Sequence, residues 1–425
     1  LQTCRNLTIT FDGGKIHKPT LVYTIHVTTA DHRAFCMELD DASLLSHSAE
    51  YILEALEWVI SKIGPWNFAV TSSDNTGNTR KARKLLCQLF PHILNMQDAC
   101  HLLNLGIKAV CLLPQFTETI SRLRRILTFM SRSAYATEHF NHEHLKIGIT
   151  RGLEAIGDTC FGTIYWAGND KNYNRAFELD LARLLTVIGP YAKAIQCLEG
   201  GHVTADRVYY YWLGITSQLD SLFRRNEYNL TTSTIEDIRA ITNCRFDEMI
   251  TDAPNNIYII AFFLNPGACS CNSMFRQYQL MQSFMQSTRI LRNEYGDTYE
   301  NPATKDTAQA VMAHCNPLLT NIHPTDALKS LKEQLKSYGK GLEPFNRRFR
   351  SSESLYAWWE QVQKDDFGNV LGALAMKIFA AVPILMTDER MMSMITWLNS
   401  PRRNRQDIET LQDHIKIRQW HRTGP

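Results

Sequence analysis

Two aspartates in the first hundred residues stand where a metal-using active site needs them. Asp12 follows the run Leu7-Thr8-Ile9-Thr10-Phe11, and Asp74 follows Val70-Thr71-Ser72-Ser73. Each run is rich in β-branched residues and reads as a strand. Each acid then sits at a strand end, held rigidly by a sheet, while the residues after it (Gly13-Gly14; Asn75-Thr76-Gly77) leave it open to ligands. Carboxylate oxygens in that setting suit Mg²⁺ or Mn²⁺. Two such ions clamp the attacking and leaving oxygens of a phosphoryl transfer. The same residues also allow a plainer role, an Asx-turn at Asp12 and a helix N-cap at Asp74. His139 and His142, at i and i+3, can share a helix face, with His144 two residues on, but only Glu138 and Glu143 adjoin them, and the segment reads as polar helix surface. The 11 cysteines lack a scaffold rhythm, with Cys269 and Cys271 the only close pair, and read as reduced, mostly buried thiols of an intracellular protein.

The elements that would position the two acids are legible. Asn6–Phe11, Thr20–Thr29 and Arg33–Leu39 read as three strands, with a turn at Gly13-Gly14 after the first. An amphipathic helix follows over Ser48–Ile63 and stops at Gly64-Pro65. A strand at Asn67–Ser72, a basic helix at Thr76–Phe90, a short strand at Ile93–Met96 and a helix at Ala99–Leu113 complete a β-β-β-α-β-α-β-α order. That order predicts a three-strand meander followed by right-handed crossovers, a mixed sheet with helices on its faces. If the fourth strand packs beside the first, the two run parallel and Asp12 and Asp74 meet at one sheet edge. From about Phe116 to Arg350 helical patterns dominate (Thr117–Met130, Ala176–Tyr191, Arg207–Arg225, Ser273–Tyr295, Asp326–Tyr338), with Gly296–Thr325 as an exposed connection. Ser351–His421 is helical again, with Trp358 and Trp359 as core anchors.

Composition sets outer limits. The chain has 425 residues, 44% hydrophobic and 21% charged, with a net charge of +2. This is a globular, multi-domain composition and argues against a simple polycationic nucleic-acid coat. Its charge is unevenly spread. Val27–Asn75 holds 8 acidic and 2 basic residues, Thr76–Arg132 holds 9 basic and 2 acidic, and Arg390 to the end holds 7 basic and 3 acidic. An acidic zone beside basic ones is what a metal-using enzyme acting on a polyanion requires. Tyr258–Leu264 is too short, and Lys377 interrupts the apolar run Ala373–Met386, so no membrane span is expected. The chain starts at Leu1 without a charged-then-apolar leader and reads as a fragment or a processed chain.

Several stretches resemble one family in order along the chain. Thr10-Phe11-Asp12-Gly13, Asp74-Asn75-Thr76-Gly77-Asn78 and Asp98-Ala99-Cys100-His101-Leu102-Leu103-Asn104-Leu105 are similar to the core of hAT-superfamily DNA transposases. Tyr356-Ala357-Trp358-Trp359 and Asp388-Glu389-Arg390-Met391-Met392-Ser393, with Arg402-Arg403 downstream, resemble that family's carboxyl-terminal region. The resemblance implies an α/β fold, a ribonuclease-H-like mixed sheet interrupted by a large all-α insertion domain. The corresponding divisions are 1–115, 116–350 and 351–425, the last carrying the third acid and a dimerisation segment within the apolar 370–399 region. It implies a DDE site of Asp12, Asp74 and Glu389 holding Mg²⁺ or Mn²⁺, DNA as partner, a homo-oligomer, work in the nucleus, and an upstream DNA-binding domain missing from this chain. Arg80, Lys84, Arg124, Arg125, Arg390 and Arg402 are candidates to hold phosphates, His101 to touch DNA or brace the sheet edge, and Phe161 to stack on an unpaired base. Thr387 is expected to N-cap a helix with Glu389 in its first turn, where the helix end favours a carboxylate. Asp388 stands where the family has serine, which leaves the third ligand ambiguous by one residue. Met392 replaces a phenylalanine, and Cys160 replaces an arginine that would pair with phosphate. A non-cutting relative that binds DNA or dimerises is the competing expectation.

Overall fold

The β-branched runs of the first hundred residues form the five strands of one sheet. These are β1 (Leu7–Lys15), β2 (Leu21–Thr28), β3 (Ala34–Asp41), β4 (Phe68–Ser73) and β5 (Leu94–Gln97). The computed structural model describes residues 1–15, 21–41, 48–146, 163–168, 175–253, 257–268, 287–295, 318–319, 321–350, 352–399 and 407–423. The strand order is β3-β2-β1-β4-β5: β1, β2 and β3 are antiparallel, and β4 and β5 continue parallel to β1. The chain is thus mixed α/β, with the expected pairing of the fourth strand beside the first.

Alternation along β1 and β2 divides the sheet into two unlike faces. Ile9 and Phe11 of β1 and Ile25 and Val27 of β2 pack on α1 (Ala49–Ile63) and α2 (Gly77–Leu89) through Ile52, Leu56, Val59, Ile60 and Leu86. Ser48 caps α1 by accepting a hydrogen bond from the Tyr51 amide. The opposite face carries Thr8, Thr10, Thr24, His26 and Thr28, and these polar side chains are buried too. The carboxyl-terminal segment covers them. The Thr8 hydroxyl accepts from the Val382 amide at 3.3 Å, and helix residues after Met386 continue across the strands.

One expectation is corrected here. Gly13 and Gly14 do not turn the chain; β1 runs on to Lys15, with Gly13 opposite Tyr23 and Gly14 opposite Val22. The glycines let neighbours lie close on the strand: a Cβ on Gly13 would lie 2.7 Å from Tyr23 Cε1, and one on Gly14 would displace the methyl end of Met392.

Two compact units divide the chain. The first comprises Leu1–Asp98, Gly201–Tyr209 and Asp252–Pro425; the second comprises Ala99–Gly200 and Tyr210–Thr251. The second unit is helical, with α3 (Ala99–Cys111), α4 (Pro114–Arg132), α5 (Ala134–Lys146), α6 (Thr163–Gly168), α7 (Arg175–Leu198), most of α8 (Ala205–Arg225) and α9 (Thr232–Phe246). Tyr191 anchors its core, stacking edge-on against Trp212 and donating to the Thr242 hydroxyl at 2.8 Å. Pro114 starts α4, and the axis turns by 100° from α3 to α4. Among the described residues no single helix is long and apolar enough to cross a membrane.

The first unit adds α10 (Ile257–Phe263), α11 (Pro324–Lys340), α12 (Leu355–Gln363), α13 (Asn369–Phe379), α14 (Met386–Leu398) and α15 (Ile408–Thr423). Trp358 and Trp359 are fully buried, and the Trp359 indole donates to the Leu264 carbonyl at 3.0 Å. Every residue of α13 from Val370 to Phe379 is buried. Leu371, Leu374, Ile378, Val382 and Ile384 of the apolar 370–399 region therefore belong to the core of this unit. Within α13, Lys377 is 2% exposed and donates to the Glu294 carboxylate and the His92 carbonyl. A buried pair is costly to break from one side. Lys377→Ala should lower unfolding stability by about 3–5 kcal/mol in urea titration, and a paired Lys377→Met, Glu294→Leu replacement should recover most of it.

Candidate active site

Register places the first two acids. Thr10 is the last residue of β1 paired to β4, opposite Ser72; Asp12 and Asp74 each lie two residues further on. Adjacent strands are about 4.8 Å apart, so both carboxylates emerge at the same end of the sheet. Asp12 stays within the β1–β2 ladder opposite Thr24, and its Oδ1 accepts from the Gly13 amide at 2.8 Å.

Asp74 sits in the turn from β4 into α2. Its Oδ1 accepts from the Thr79 hydroxyl at 2.6 Å and the Thr76 hydroxyl at 3.3 Å, and the N-cap position belongs to Thr76, not Asp74. The positive end of α2 favours a carboxylate here. Arg83, the seventh residue of α2 and 1% exposed, props the turn from beneath. It donates to the Ser73 carbonyl at 3.0 Å, to Asn95 Oδ1 at 3.0 Å and to the Asp74 carbonyl. Burial pushes its guanidinium down to about 10 while the Asp74 charge pulls the other way, so it remains a cation at neutral pH.

The third acidic pair arrives from the far end of the chain. α14 begins at Met386 with Leu385 as N-cap and no side-chain cap bond, so Thr387 is not the cap; it lies inside the first turn with Asp388 and Glu389. The two neighbours have opposite fates. Asp388 has no exposed surface: Oδ2 accepts from the Thr10 hydroxyl at 2.7 Å, and Oδ1 meets His26 Nδ1 at 2.6 Å and the Thr24 hydroxyl at 3.5 Å. Glu389 is exposed. Burial pushes the His26 imidazole down, but the charge and hydrogen bond of Asp388, helped by Cys36, outweigh it and raise the ring to about 10. His26 and Asp388 are thus an ion pair at neutral pH, sealed between α14 and the strands.

Crowding of like charge marks the site. Burial, then the charges of Asp388 and Asp74, raise Asp12 to about 7; the Gly13 amide pulls it down and Glu389 adds a smaller push upward. Tyr23, lying across Gly13, feels the same field: burial, then Asp74 and Asp12, raise its phenol. Such mutual repulsion is what a divalent cation relieves, and hard carboxylate oxygens are the donors Mg²⁺ and Mn²⁺ take. Asp12 and Asp74 each engage Oδ1 in the hydrogen bonds above, which leaves Oδ2 of both as donors. Among the described residues, however, no three His, Cys, Asp or Glu side chains are already gathered for a metal ion.

The remaining candidates are scattered over the two units. Arg80 and Lys84 are exposed on α2, and Lys81 between them pairs with Glu50 at 2.6 Å. Arg390 is exposed on α14. In the second unit, Arg124 and Arg125 line a cavity of about 780 Å³ together with Arg132 and the exposed ring of Phe129. Arg125 also pairs with Glu118 at 3.5 Å. His101 is half-buried on α3. His139 and His142 lie on α5, where His139 packs edge-on against Tyr135. Phe161, Cys160 and Arg402 lie outside the described residues. His26, Tyr23 and Arg83 are contributors that residue types alone do not mark; the one sequence signal is the polar alternation Thr24-His26-Thr28 beside Thr8-Thr10-Asp12. No protein-family model matches the chain, and no curated protein matches it in sequence.

The unequal fates of the neighbouring acids are measurable. Asp388→Asn strands the His26 imidazolium and should cost about 3–5 kcal/mol of unfolding stability, whereas Glu389→Gln should stay within about 0.5 kcal/mol. Asp12 titrates higher folded than unfolded, so stability falls as pH rises from about 4 through about 7. Asp12→Asn removes that loss. Without divalent ions its melting temperature should exceed that of the native chain at pH 8, by roughly 2–4 kcal/mol of stability, with the gap closing as pH falls toward 4.

Proposed function

We propose that this chain is the catalytic region of a hAT-like DNA transposase, cutting and joining transposon-end DNA by metal-assisted phosphodiester chemistry at Asp12, Asp74 and Glu389. The observation that carries the reading is the convergence of acids from three distant stretches at one sheet end, where burial first, and then the charges of Asp388 and Asp74, raise Asp12 to about 7. A meander continued by parallel crossovers supports a ribonuclease-H-like sheet, with the helical stretch at 116–350 as its insertion.

In this reading Asp12, Asp74 and Glu389 would hold Mg²⁺ or Mn²⁺, and the ion would supply a nucleophilic hydroxide and charge neutralisation at the phosphoryl group. The chain's own part is positional. Arg83 fixes the turn that presents Asp74. Asp388, tied to His26 and two threonines, is not a ligand but the pin that holds α14 on the sheet, and Glu389 is the outward-facing acid. Arg80, Lys84 and Arg390 draw phosphates toward the acidic edge, and Arg124 and Arg125 do so on the helical unit. A homo-oligomer would need surfaces other than Leu371–Ile384, which are buried in the core. One observation favours a non-cutting relative that binds DNA or dimerises: the acids are near one another without forming a ready metal group among the described residues.

Nicking of supercoiled plasmid in Mn²⁺ separates the two. The native chain should nick, and Asp74→Asn, folded by circular dichroism, should lose activity by about 100-fold or more. Equal nicking by both would remove Asp74 from the chemistry. No nicking by either, with both folded, would favour the non-cutting relative.

A further inference from the structure

Immediately beyond Glu389, α14 and α15 enclose a cavity of about 570 Å³ against Ala34 of β3. Arg390, Met394 and Trp397 follow one another at spacings of four and three along α14, which stacks them on a single helix face. Met391 widens that wall, and Arg418 and Gln419 stand on the α15 side. The lining is mostly apolar, and among the described residues that form it are two guanidinium groups and no carboxylate. Gln419 is already committed: its side chain accepts from the Cys36 amide at 3.1 Å and donates to the Ala34 carbonyl, closing the outer edge of β3. Trp397 is not committed to the core in the same way, since its indole is 63% exposed.

Each feature selects part of one ligand. An open indole face takes a flat ring and is indifferent to which base it is. The polarizable methionines give that ring a conforming second wall. The two arginines take an anion attached to the ring, and the guanidinium fork matches phosphate oxygens. The volume suits a ligand of small-molecule size. A paired base keeps its faces stacked in the duplex, so the ring must come from unpaired nucleic acid.

We propose that this cavity seats one unpaired nucleotide of a DNA strand, its base on Trp397 against Met391 and Met394 and its phosphate between Arg390 and Arg418. The inference rests on the DNA reading above and refines it.

The test is binding without catalysis. The full chain carrying Asp74→Asn, without divalent ions, is titrated into a fluorescein-labelled short oligothymidylate, and anisotropy is read. Adding Trp397→Ala should weaken binding about tenfold or more, with Trp397→Phe restoring most of it. Adding Arg418→Ala should weaken binding and flatten its salt dependence by about one phosphate contact. An oligonucleotide of abasic sites should bind equally well whether or not the chain carries Trp397→Ala. Unchanged oligothymidylate affinity in Trp397→Ala, with its melting temperature preserved, overturns the proposal. So does a dimer that this substitution converts to monomer with affinity intact, which would make the face an interface between copies. Thymidine monophosphate binding as tightly as the oligonucleotide would also overturn it, as a free-nucleotide site. Loss of nicking with Trp397-dependent binding intact would sink the cutting reading alone, and nicking with no Trp397 dependence would sink this one alone.

Discussion

The buried ion pair between His26 and Asp388 is the constraint on which the site depends. It joins a strand in the first thirty residues to a helix near the end of the chain, with no solvent on either partner. Such a pair is not a large source of stability by itself, because both charges give up water to form it. Its value is specificity of placement. Thr10 and Thr24 supply the further hydrogen bonds Asp388 needs, and all three partners lie on one polar face. α14 is satisfied at one register against β1 and β2, and Met392 seated over Gly14 one turn later agrees with that register. Sliding the helix by one residue would bury Glu389 and expose Asp388 to no partner.

From that placement the electrostatics follow. Anchoring Asp388 beneath the sheet edge adds negative charge where Asp12 and Asp74 already converge; burial of Asp12, and after it these charges, hold its proton up to about 7. A protein that only needed a stable sheet would not collect four acids at one end of it. Arg83 offsets part of this from within α2 but directs its donors to backbone and amide oxygens of the turn, so it shapes the Asp74 loop more than it neutralises the acids. Basic side chains of the same unit stand exposed on α2 and on α14 after Glu389.

Much of this was legible from residue order. The strands and the first three helices lie within a few residues of where alternation and periodicity put them, because the local signals are strong: β-branched runs for strands, and Ser48 and Gly64 bracketing α1. The meeting of Asp12 and Asp74 follows from topology once the fourth strand lies beside the first. Two local rules misled. Gly13-Gly14 has the composition of a turn, yet the glycines lie inside a ladder because Tyr23 and Met392 claim the space of their side chains. Thr387 has the composition of an N-cap, yet the helix starts two residues earlier, with Leu385 at the cap position and no side-chain cap bond, while Asp388 ties its first turn to the sheet.

What residue types and spacing determined by themselves is the succession of strands and helices in the first hundred residues and the placing of an acid after each of two strands, since these depend on short-range propensity; that the fourth strand lies beside the first, and so brings the two acids to one edge, came from the fold. Tertiary structure alone decided which of two adjacent acids turns inward. It also decided that the threonine face of β1 and β2 is buried and that the apolar stretch around Leu371–Ile384 is core. The physical reason is common to all three. Burial of a polar or apolar face depends on what comes to cover it: α14 arrives from the far end of the chain over the threonine face, and α10, α11 and α12 close around α13.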